Sequence, residues 1–405
     1  MYGFDNYNVN SAVIKVMGVG GGGCNAVNSM INSNITSAEF IAVNTDNQAL
    51  LLSKAEKCIQ IGEKLTKGLG AGSDPNVGEA AAEESKEQIA SALEGTDLLF
   101  IAAGMGGGTG TGAVSVIARI ARELGILTVA VVTKPFAFEG KVRNENANKG
   151  ISNLRKYVDT LVIIPNDKLL QFLPQQIGML DAFKVADDML KQGIVGIVDL
   201  IATPSLINLD FADVNTVMRN QGLAHMGIGR AKGENRVIES VRQAVSSPLL
   251  ETTIEGARSV ILNVTGGKDL MLNEVNEAAV LVQGIIDDSA NIIFGATIDE
   301  SMSEEVKITV IATGFVPNSD NGEVKDVINI KPAIGFKEKP VDSSIPPLLR
   351  EIELEEQRVQ QAIQESAPVI DKVEEAPVVE AEPVVEVPEN KGRELPAFMK
   401  KLFRK

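Results

Sequence analysis

The feature that most constrains the fold is a glycine-rich run, Gly104–Gly112, that directly follows the apolar segment Leu98–Ala103. Six of its nine residues are glycine, and the apolar, alanine-bearing segment Ala113–Ala121 comes next. The pattern predicts a buried strand, a tight loop and a helix. Because glycine lets backbone N–H groups converge and a helix N-terminus is positive, the loop is suited to bind a phosphate. A plain flexible turn is the alternative, but it needs fewer glycines, whose ordering costs entropy.

A second glycine loop lies near the N-terminus, where Gly18, Gly20 and Gly23 satisfy the pattern G-x-G-x-x-G between a strand and a helix pattern. With Asp46 after the next strand, this loop alone indicates an NAD or FAD site, so an oxidoreductase is one alternative. A dinucleotide needs one such loop for its pyrophosphate, and two loops favour a longer polyphosphate held from two sides. The P-loop pattern G-x-x-x-x-G-K-[ST] is absent. A third small-residue turn, Gly68–Ser73, is placed to close over a terminal phosphate.

Apolar runs alternate with helical patterns from residue 11 to about residue 200, which predicts an α/β fold with a mainly parallel sheet and helices on both faces. Ligands then bind at the carboxyl ends of the strands, where the glycine loops lie. A longer helical pattern over 179–200 is predicted to connect this domain to a second α/β domain. The predicted strands are 13–17, 40–43, 57–61, 97–103, 127–132, 160–164, 260–265, 291–297 and 307–313, and the predicted helices of the first domain are 25–32, 77–93, 112–124 and 141–156.

Composition and charge exclude several classes of function. The net charge of −16 argues against nucleic-acid binding by the whole chain. A single histidine, His225, excludes multi-histidine metal sites, and two cysteines give neither a disulfide framework nor a metal-ligand spacing. No apolar stretch is long enough for a membrane span, and the first residues do not resemble a signal peptide, so we expect a cytoplasmic protein.

The composition changes near residue 317, since ten of the sixteen prolines lie between there and the C-terminus. Acidic, proline-spaced segments such as 377–388 bury too little apolar surface to offset ordering, which predicts a disordered linker. The last residues form an apolar stripe at helical spacing with basic residues beside it, which indicates a partner-binding peptide rather than a frayed tail. The stripe consists of Leu395, Phe398, Met399, Leu402 and Phe403.

These patterns divide the chain into segments of different character. The expected segments are a flexible N-terminus (1–12), a nucleotide-binding domain (13–178), a connector helix (179–203), a C-terminal α/β domain (204–316), a disordered linker (317–392) and a partner-binding peptide (393–405).

Several long motifs resemble the tubulin/FtsZ family. The run Gly106–Gly112 is similar to the signature loop of that family, and the resemblance extends over Ile14–Phe315. It includes Asn44-Thr45-Asp46, the segments 134–140 and 164–167, and Asn208–Asp213; the tail around Leu395–Phe398 resembles the C-terminal peptide of the family.

The resemblance implies that the chain binds GTP or GDP, with Mg²⁺ on the phosphates rather than on protein side chains. Either Asp187 or Asp188 would accept hydrogen bonds from guanine N1–H and N2–H₂, groups that adenine does not offer, and we favour Asp187. Cys24 stands where the family commonly has asparagine or glycine; it either makes GTP binding thiol-sensitive or is a buried small residue. Carried over by position, the nucleotide-binding residues are Gly20, Gly21, Gly22, Gly23, Cys24, Asn25, Ala71, Gly72, Ser73, Gly104, Gly107, Gly108, Thr109, Gly110, Thr111, Glu139, Arg143, Asn166, Phe183 and Asp187.

The resemblance also implies that Asn208, Asp210 and Asp213 form a loop that enters the nucleotide site of a neighbouring subunit and activates the attacking water. Head-to-tail assembly would then give a filament, and hydrolysis would follow from assembly. The family role implies a homopolymer that forms the bacterial division ring at midcell under the membrane, with division and membrane-tether proteins bound to the C-terminal peptide. A filament scaffold without hydrolysis is a further alternative.

Overall fold

The fold is organised around ten strands that form one sheet. The computed structural model describes residues 12–315 except 170–177, 203–204, 208, 247–253 and 287–288. The strands are β1 (Ile14–Val19), β2 (Glu39–Asn44), β3 (Lys57–Gln60), β4 (Leu98–Gly104), β5 (Leu127–Lys134), β6 (Thr160–Pro165), β7 (Gly222–Lys232), β8 (Ser259–Gly266), β9 (Asn291–Ile298) and β10 (Glu305–Thr313). Their order across the sheet is β3-β2-β1-β4-β5-β6-β7-β10-β8-β9.

The sheet is mainly parallel, as the alternating pattern predicts. Each pair from β3 through to β7 is parallel, although β6 and β7 pair only over Thr160–Val162 and Gly222–Ala224. Strand β10 is antiparallel to both β7 and β8, and β9 is parallel to β8. One short parallel contact therefore joins the sheets of the two predicted α/β domains.

Helices pack on both faces of the sheet. Along β1, Ile14 and Val16 belong to one buried cluster, whereas Met17 and Val19 belong to the other, because alternate side chains of a strand point to opposite faces. The helices are α1 (Gly20–Asn32), α2 (Asn47–Leu51), α3 (Glu63–Thr66), α4 (Pro75–Glu84), α5 (Lys86–Leu93), α6 (Thr109–Glu123), α7 (Lys141–Leu154), α8 (Asn166–Leu169), α9 (Met179–Ala202), α10 (Phe211–Met218), α11 (Arg236–Val245) and α12 (Leu272–Gln283).

The connector helix α9 packs against both halves of the described structure. Its buried residues Leu190, Ile194 and Ile197 share a cluster with Val129 of β5 and Ile311 of β10. The predicted helix at 179–200 is confirmed, and it extends to Ala202.

The structure corrects some predicted elements. The single helix predicted at 77–93 is two helices, α4 and α5, because Ser85 leaves the helical conformation between them with φ −103° and ψ 18°. Helices α1 and α6 begin inside the glycine loops, at Gly20 and Thr109, several residues before the predicted starts. The sequence prediction omitted β7, the short helices α2, α3 and α8, and the helices α10, α11 and α12.

The predicted linker and the C-terminal peptide, with Leu395, Phe398, Met399, Leu402 and Phe403, lie outside the described residues. Among the described residues, no helix combines the length and the apolar character that a membrane span requires. The described residues all fall within one compact unit, 1–322.

Candidate functional site

The two glycine loops meet at the carboxyl ends of neighbouring strands. Strands β1 and β4 are adjacent and parallel, so the loops that follow them lie side by side. Gly20 has a φ of +70°, and a Cβ atom added there would lie 2.8 Å from the Gly110 backbone nitrogen. A Cβ on Gly110 would lie 2.7 Å from the Gly104 carbonyl oxygen. These glycines are therefore required because the backbones touch one another.

A second set of glycines faces open space. A Cβ atom added to Gly21 or Gly107 would have no protein atom within 4 Å, and both residues line a cavity at the mouth of the loops. Helices α1 and α6 start at this cavity, and their first N–H groups have no intrahelical acceptor. Neither helix has an acidic residue in its first turn to satisfy those groups. Two positive helix ends with backbone donors therefore converge on one place, which suits a polyphosphate.

The cavity has a volume of about 590 Å³, which is in the range of a small-molecule site. The glycine loops form one end, and side chains from α8 and α9 form the other. Its lining consists of Gly21, Gly22, Asn25, Asn44, Asp46, Ala49, Gly70, Ser73, Gly104, Met105, Gly107, Gly108, Thr109, Gly110, Thr133, Pro135, Glu139, Arg143, Asn166, Phe183, Ala186, Asp187 and Leu190.

The end away from the glycine loops carries an unsatisfied amide. Asn166, the first residue of α8, is only 5 % exposed, and its Oδ1 atom has no hydrogen-bond partner among the described residues. A buried polar group without a partner costs free energy, so this end of the cavity is suited to a ligand with hydrogen-bonding groups.

An aromatic cluster stands beside this amide. Phe183 lies edge-on to Phe136, with ring centroids 5.4 Å apart, and edge-on to Phe138 at 6.3 Å. Phe136 and Phe138 are stacked at 5.1 Å. The contacts fix the orientation of the Phe183 ring, which stays partly exposed on the cavity wall and can pack against a flat ligand.

The structure separates the two neighbouring aspartates. Asp187 lines the cavity, and burial, followed by the nearby Asp188 charge, raises the pKa of Asp187 to about 6. Asp188 points elsewhere: its Oδ1 pairs with Lys191 Nζ at 2.8 Å and accepts a hydrogen bond from Ser29 Oγ at 3.3 Å. Only Asp187 is therefore available to a molecule in the cavity.

Glu139 and Arg143 form an ion pair on the wall of the cavity. Glu139 is the last residue of a short 3₁₀ turn, Ala137–Glu139, and its Oε1 accepts from the Phe136 N–H at 2.9 Å. The guanidinium of Arg143, about half exposed, is the cation that this wall offers to a phosphate or ribose.

Some predicted binding residues do not line this cavity. Gly23 packs its backbone on the Ala102 carbonyl, and Ala71 and Cys24 are buried. Cys24 Sγ contacts the carbonyl oxygens of Gly18 and Val43, and burial raises its pKa to about 12. The structure thus favours the buried-residue interpretation of Cys24.

Gly72 and Thr111 line a neighbouring cavity between α4, α6 and α7, and Ser73 lines both. Thr111 Oγ1 accepts a hydrogen bond from the Gly106 N–H at 2.8 Å. This side chain therefore stabilises the shape of the second glycine loop.

The predicted catalytic carboxylates lie outside the cavity. Asp210 precedes α10, and its Oδ1 accepts from the Asp213 N–H at 2.8 Å, while the Asp210 N–H donates to Asp213 Oδ2 at 3.4 Å. Neither residue lines the cavity. Asn208 lies outside the described residues. Among the described residues, no cluster of three or more histidine, cysteine or acidic side chains could hold a metal ion.

Comparison with known proteins agrees with this geometry. Residues 13–174 match the model of the GTPase domain of the Tubulin/FtsZ family, and residues 222–316 match the model of the C-terminal domain of the FtsZ family. A solved structure of an FtsZ dimer from M. jannaschii is 47 % identical, with a TM-score of 0.73, and the match covers 76 % of this chain and 89 % of that chain.

The chain belongs to the tubulin/FtsZ family.

More distant solved structures share the fold alone. CetZ1 from Haloferax volcanii, solved as a GDP-bound monomer, is 21 % identical with a TM-score of 0.65. The match covers 76 % of this chain and 95 % of that chain. CetZ2 from the same organism, solved as a GTPγS-bound protofilament, is 20 % identical with a TM-score of 0.66, covering 87 % of this chain and 99 % of that chain. M. jannaschii is an archaeon, so membership of the family does not establish the bacterial origin implied by the sequence resemblance.

The cavity is also lined by residues that the predicted set of nucleotide-binding residues did not include, although Asn44, Asp46 and Pro135 belong to motifs that carried the family resemblance. Asn44, Asp46, Thr133 and Pro135 line the cavity, and all follow or end the strands β2 and β5. Their position at carboxyl ends of parallel strands was the available signal. Asp46 Oδ1 accepts from the Gln48 and Ala49 N–H groups and caps α2, so its position after β2 has a structural cause without any NAD ribose.

Proposed function

We propose that the chain binds and hydrolyses GTP and assembles head-to-tail into filaments whose active sites are shared between adjacent copies. The observation that carries the proposal is the cavity in which two helix N-termini meet at one end and an unsatisfied, buried amide stands at the other. A triphosphate fits the first end and a base the second.

Guanine selectivity is assigned to the far end of the cavity. The Asp187 carboxylate on α9 accepts hydrogen bonds from guanine N1–H and N2–H₂. Asn166, at the start of α8, provides a further polar partner. Phe183 packs against the face of the base; stacking of a base on an aromatic ring contributes about 1–3 kcal/mol. Adenine presents no N–H donors at the corresponding positions and leaves Asp187 without a partner.

The phosphates are assigned to the two glycine loops, and Arg143 compensates part of their charge. The residues assigned to phosphate contact are those of the predicted set that line the cavity, namely Gly21, Gly22, Asn25, Gly107, Gly108, Thr109 and Gly110, with Ser73 beside the terminal phosphate. The other predicted glycine-loop residues, Gly20, Gly23, Cys24 and Thr111, support the shape of the loops. The donor set is backbone N–H, which fits phosphate and not a metal ion, so a bound Mg²⁺ would be held by the phosphates and would neutralise their charge.

The water-activating carboxylates are assigned to a second copy. Asp210 and Asp213 are absent from the lining of the cavity in their own chain, so a site within one chain has phosphate donors without a carboxylate poised for water. FtsZ from M. jannaschii was solved as a dimer and CetZ2 as a protofilament, so self-association occurs among the similar structures. A heterologous contact that does not close gives a filament.

The cellular role is proposed from family membership. Filaments of this chain would form a division ring under the membrane at midcell. The peptide 393–405, after the linker 317–392, would bind division and membrane-tether proteins through Leu395, Phe398, Met399, Leu402 and Phe403. For the rest of the chain we propose an N-terminal segment (1–12), a nucleotide-binding domain (13–178), a connector helix (179–203) and a C-terminal domain (204–316).

The test is the rate of GTP hydrolysis per chain against protein concentration, with sedimentation of the same samples. We expect the specific rate to rise from near zero to a plateau over the concentrations at which protein sediments. Thermal shift should show stabilisation by GTP and none by NAD. A specific rate that is flat across dilution would contradict a shared site, and stabilisation by NAD alone would favour the oxidoreductase alternative.

A further inference from the structure

A second cavity adjoins the glycine-loop cavity, and we call it the side cavity. It lies between α4, α6 and α7 and has a volume of about 400 Å³, which is within the range of small-molecule sites. Its lining includes Thr111 and Ser115 of α6 and Asn146 and Asn153 of α7, which carry hydroxyl and amide groups. This polar lining suits water and a small polar ion rather than an apolar ligand.

The wall between the two cavities is thinnest at Ser73. Of the described residues, Ser73 alone lines both cavities. Just beyond it the wall is closed by backbone contacts. A Cβ atom added to Gly108 would lie 2.9 Å from the Asp74 nitrogen, and one added to Gly112 would lie 2.0 Å from the Pro75 carbonyl oxygen. These contacts leave the position of Ser73 as the point at which a small ion can pass from one cavity to the other.

The short segment that carries Ser73 has an unusual backbone conformation. Gly70, Gly72 and Ser73 have positive φ values of +87°, +58° and +64°. A positive φ is uncommon for serine, so the backbone of Ser73 is strained. Gly72 and Ser73 are exposed, and a Cβ atom added to Gly72 would meet no further protein atom within 4 Å. Ser73 can therefore move off the wall without displacing packed side chains, while the buried Ala71 holds the segment in place.

The charged groups of the side cavity attract an anion only weakly. Lys149 of α7 is exposed and lines the cavity, so it offers a cation to a phosphate. Asp74 and Glu79 line the same cavity and are negative. Asp74 Oδ1 accepts hydrogen bonds from the backbone N–H and the side-chain amide of Asn76 at 2.9 and 3.0 Å, so this carboxylate is held in place. One exposed cation against two carboxylates suits the passage of a phosphate ion rather than its storage.

In the proposed shared site, a newly formed phosphate ion has neighbours on two sides. Water attacks the γ-phosphorus, its proton passes to a carboxylate of the next copy, and the β–γ bridging oxygen leaves with GDP. The phosphate ion then lies between GDP and the neighbouring copy. Because Ser73 is placed beside the terminal phosphate, the side cavity is next to this ion when it forms.

We propose that inorganic phosphate leaves through the side cavity, past Ser73 and Lys149, while the neighbouring copy still covers the mouth of the glycine-loop cavity. The proposal rests on the proposed function, because it presupposes that GTP is cleaved in a site shared between two copies. It assigns inorganic phosphate to the side cavity as its ligand. A filament then loses phosphate without first losing the contact between its copies.

The test blocks the side cavity in the full chain with a bulky, uncharged reagent. Ser115→Cys places a thiol on the wall of this cavity, in a Cys58→Ser background in which Cys24 is buried. A pyrenyl maleimide on that thiol fills the cavity, and the unlabelled protein is a control of identical sequence. Ser152→Cys with the same label and background is the matched control, because Ser152 is an exposed residue of α7 that lines neither cavity.

Two measurements at saturating GTP and at the plateau protein concentration separate formation of phosphate from its release. Acid quench measures all phosphate that has formed, and a fluorescent phosphate sensor measures the phosphate that is free. We expect the labelled Ser115→Cys protein to form one phosphate per chain at the rate of the unlabelled protein. Its free phosphate should appear at least about tenfold more slowly, because the added label raises the barrier to release. The labelled Ser152→Cys protein should form and release phosphate at the unlabelled rates.

Two results would overturn the proposal. Free phosphate that appears at the unlabelled rate despite complete labelling means that the ion leaves by another path. Loss of phosphate formation together with its release means that the side cavity supports the reaction site and is not the exit. Failure of the proposed function is seen before any label is attached, as a wild type that does not hydrolyse GTP or whose specific rate is independent of protein concentration.

Discussion

Two regions of the molecule contribute different groups to the proposed GTPase site, the glycine-loop cavity and the start of α10. The glycine-loop end has a cavity, two helix N-termini and an arginine, but its carboxylates are already engaged or lie at the base end. Glu139 pairs with Arg143, and Asp46 caps α2. The α10 end has two carboxylates that lie outside that cavity, Asp210 and Asp213, and each also accepts a hydrogen bond from the backbone N–H of the other at the start of α10. Neither end is a complete hydrolase, and the predictions below test whether two copies complete it.

The largest effect is expected from Asp213→Ala. Loss of the proposed water-activating carboxylate should lower the plateau GTPase rate by about 10²-fold or more, the usual contribution of a general base. GTP affinity should be unchanged, because Asp213 does not line the cavity. Steady-state turnover and equilibrium binding of GTP measure the two quantities separately.

A mixing experiment sharpens this prediction. Asp187→Ala should lose GTP binding while keeping Asp213, so it supplies an intact acidic end with a defective cavity. Mixed with Asp213→Ala, it should restore turnover at the junctions where the two intact halves meet. If the mixture is no more active than its inactive components, catalysis is not shared between copies.

Gly20→Ala should disrupt the glycine-loop end. Alanine at a φ of +70° costs about 1–2 kcal/mol, and its Cβ would also stand 2.8 Å from the Gly110 nitrogen, so we expect a larger loss and a strong decrease in GTP affinity. Gly125→Ala is the control, because Gly125 has a φ of +76° with no atom within 4 Å of the added Cβ. In urea unfolding, Gly125→Ala should lower the free energy of unfolding by the conformational cost alone. Equal losses in the two variants would contradict the close approach of the loops.

Asp187 should make GTP binding and apo stability respond to pH in opposite directions. Its folded pKa of about 6 exceeds the ordinary value of 3.8 because of burial, so the protonated form favours folding. Apo stability is therefore lost as pH rises from about 4 through 6, and Asp187→Asn should be the more stable protein at pH 7.5. GTP needs the carboxylate, so wild-type affinity should fall below pH 6. The GTP affinity of Asp187→Asn should be weak and independent of pH. If this variant binds GTP as tightly as wild type at pH 7.5, Asp187 does not bind the base.

The smallest effect is expected from thiol modification. Cys24 is buried with a raised pKa, whereas Cys58 is exposed. Maleimide at neutral pH should label Cys58 and leave Cys24 and the GTPase rate unchanged. Cys58→Ser should abolish labelling of the folded protein. Labelling of Cys24 with loss of GTP binding would restore the thiol-sensitive interpretation.

The strongly patterned parts of the fold were predictable. Strand periodicity located Leu98–Gly104 and Leu127–Lys134 within two residues, because a buried parallel strand is a short continuous apolar run. Strand β7 was missed because Gly222, Gly227 and Gly229 interrupt its apolar residues. Helices α11 and α12 have apolar residues at helical spacing, so the sequence contained a signal for them that the prediction did not use. The division of 77–93 into two helices was also hidden, since Ser85 is compatible with a helix.

The candidate site was partly predictable, because its glycine loops are strong local patterns. The glycine loops and the residues carried over from the family resemblance, such as Asn166, Phe183 and Asp187, line one cavity. The choice between Asp187 and Asp188 needed the positions of Lys191 and Ser29, which come from packing. The burial of Cys24 likewise depends on contacts with β1 and β2.

The sequence by itself determined the family, the mainly parallel sheet and the two glycine loops, because periodicity and glycine spacing act over a few neighbouring residues. Only the tertiary structure decided which glycines touch another backbone and which face the cavity, which aspartate lines the cavity, and that Arg236 binds both Asp269 and Glu274. Those properties depend on atoms far apart in the chain that pack together, and local patterns carry no record of such contacts.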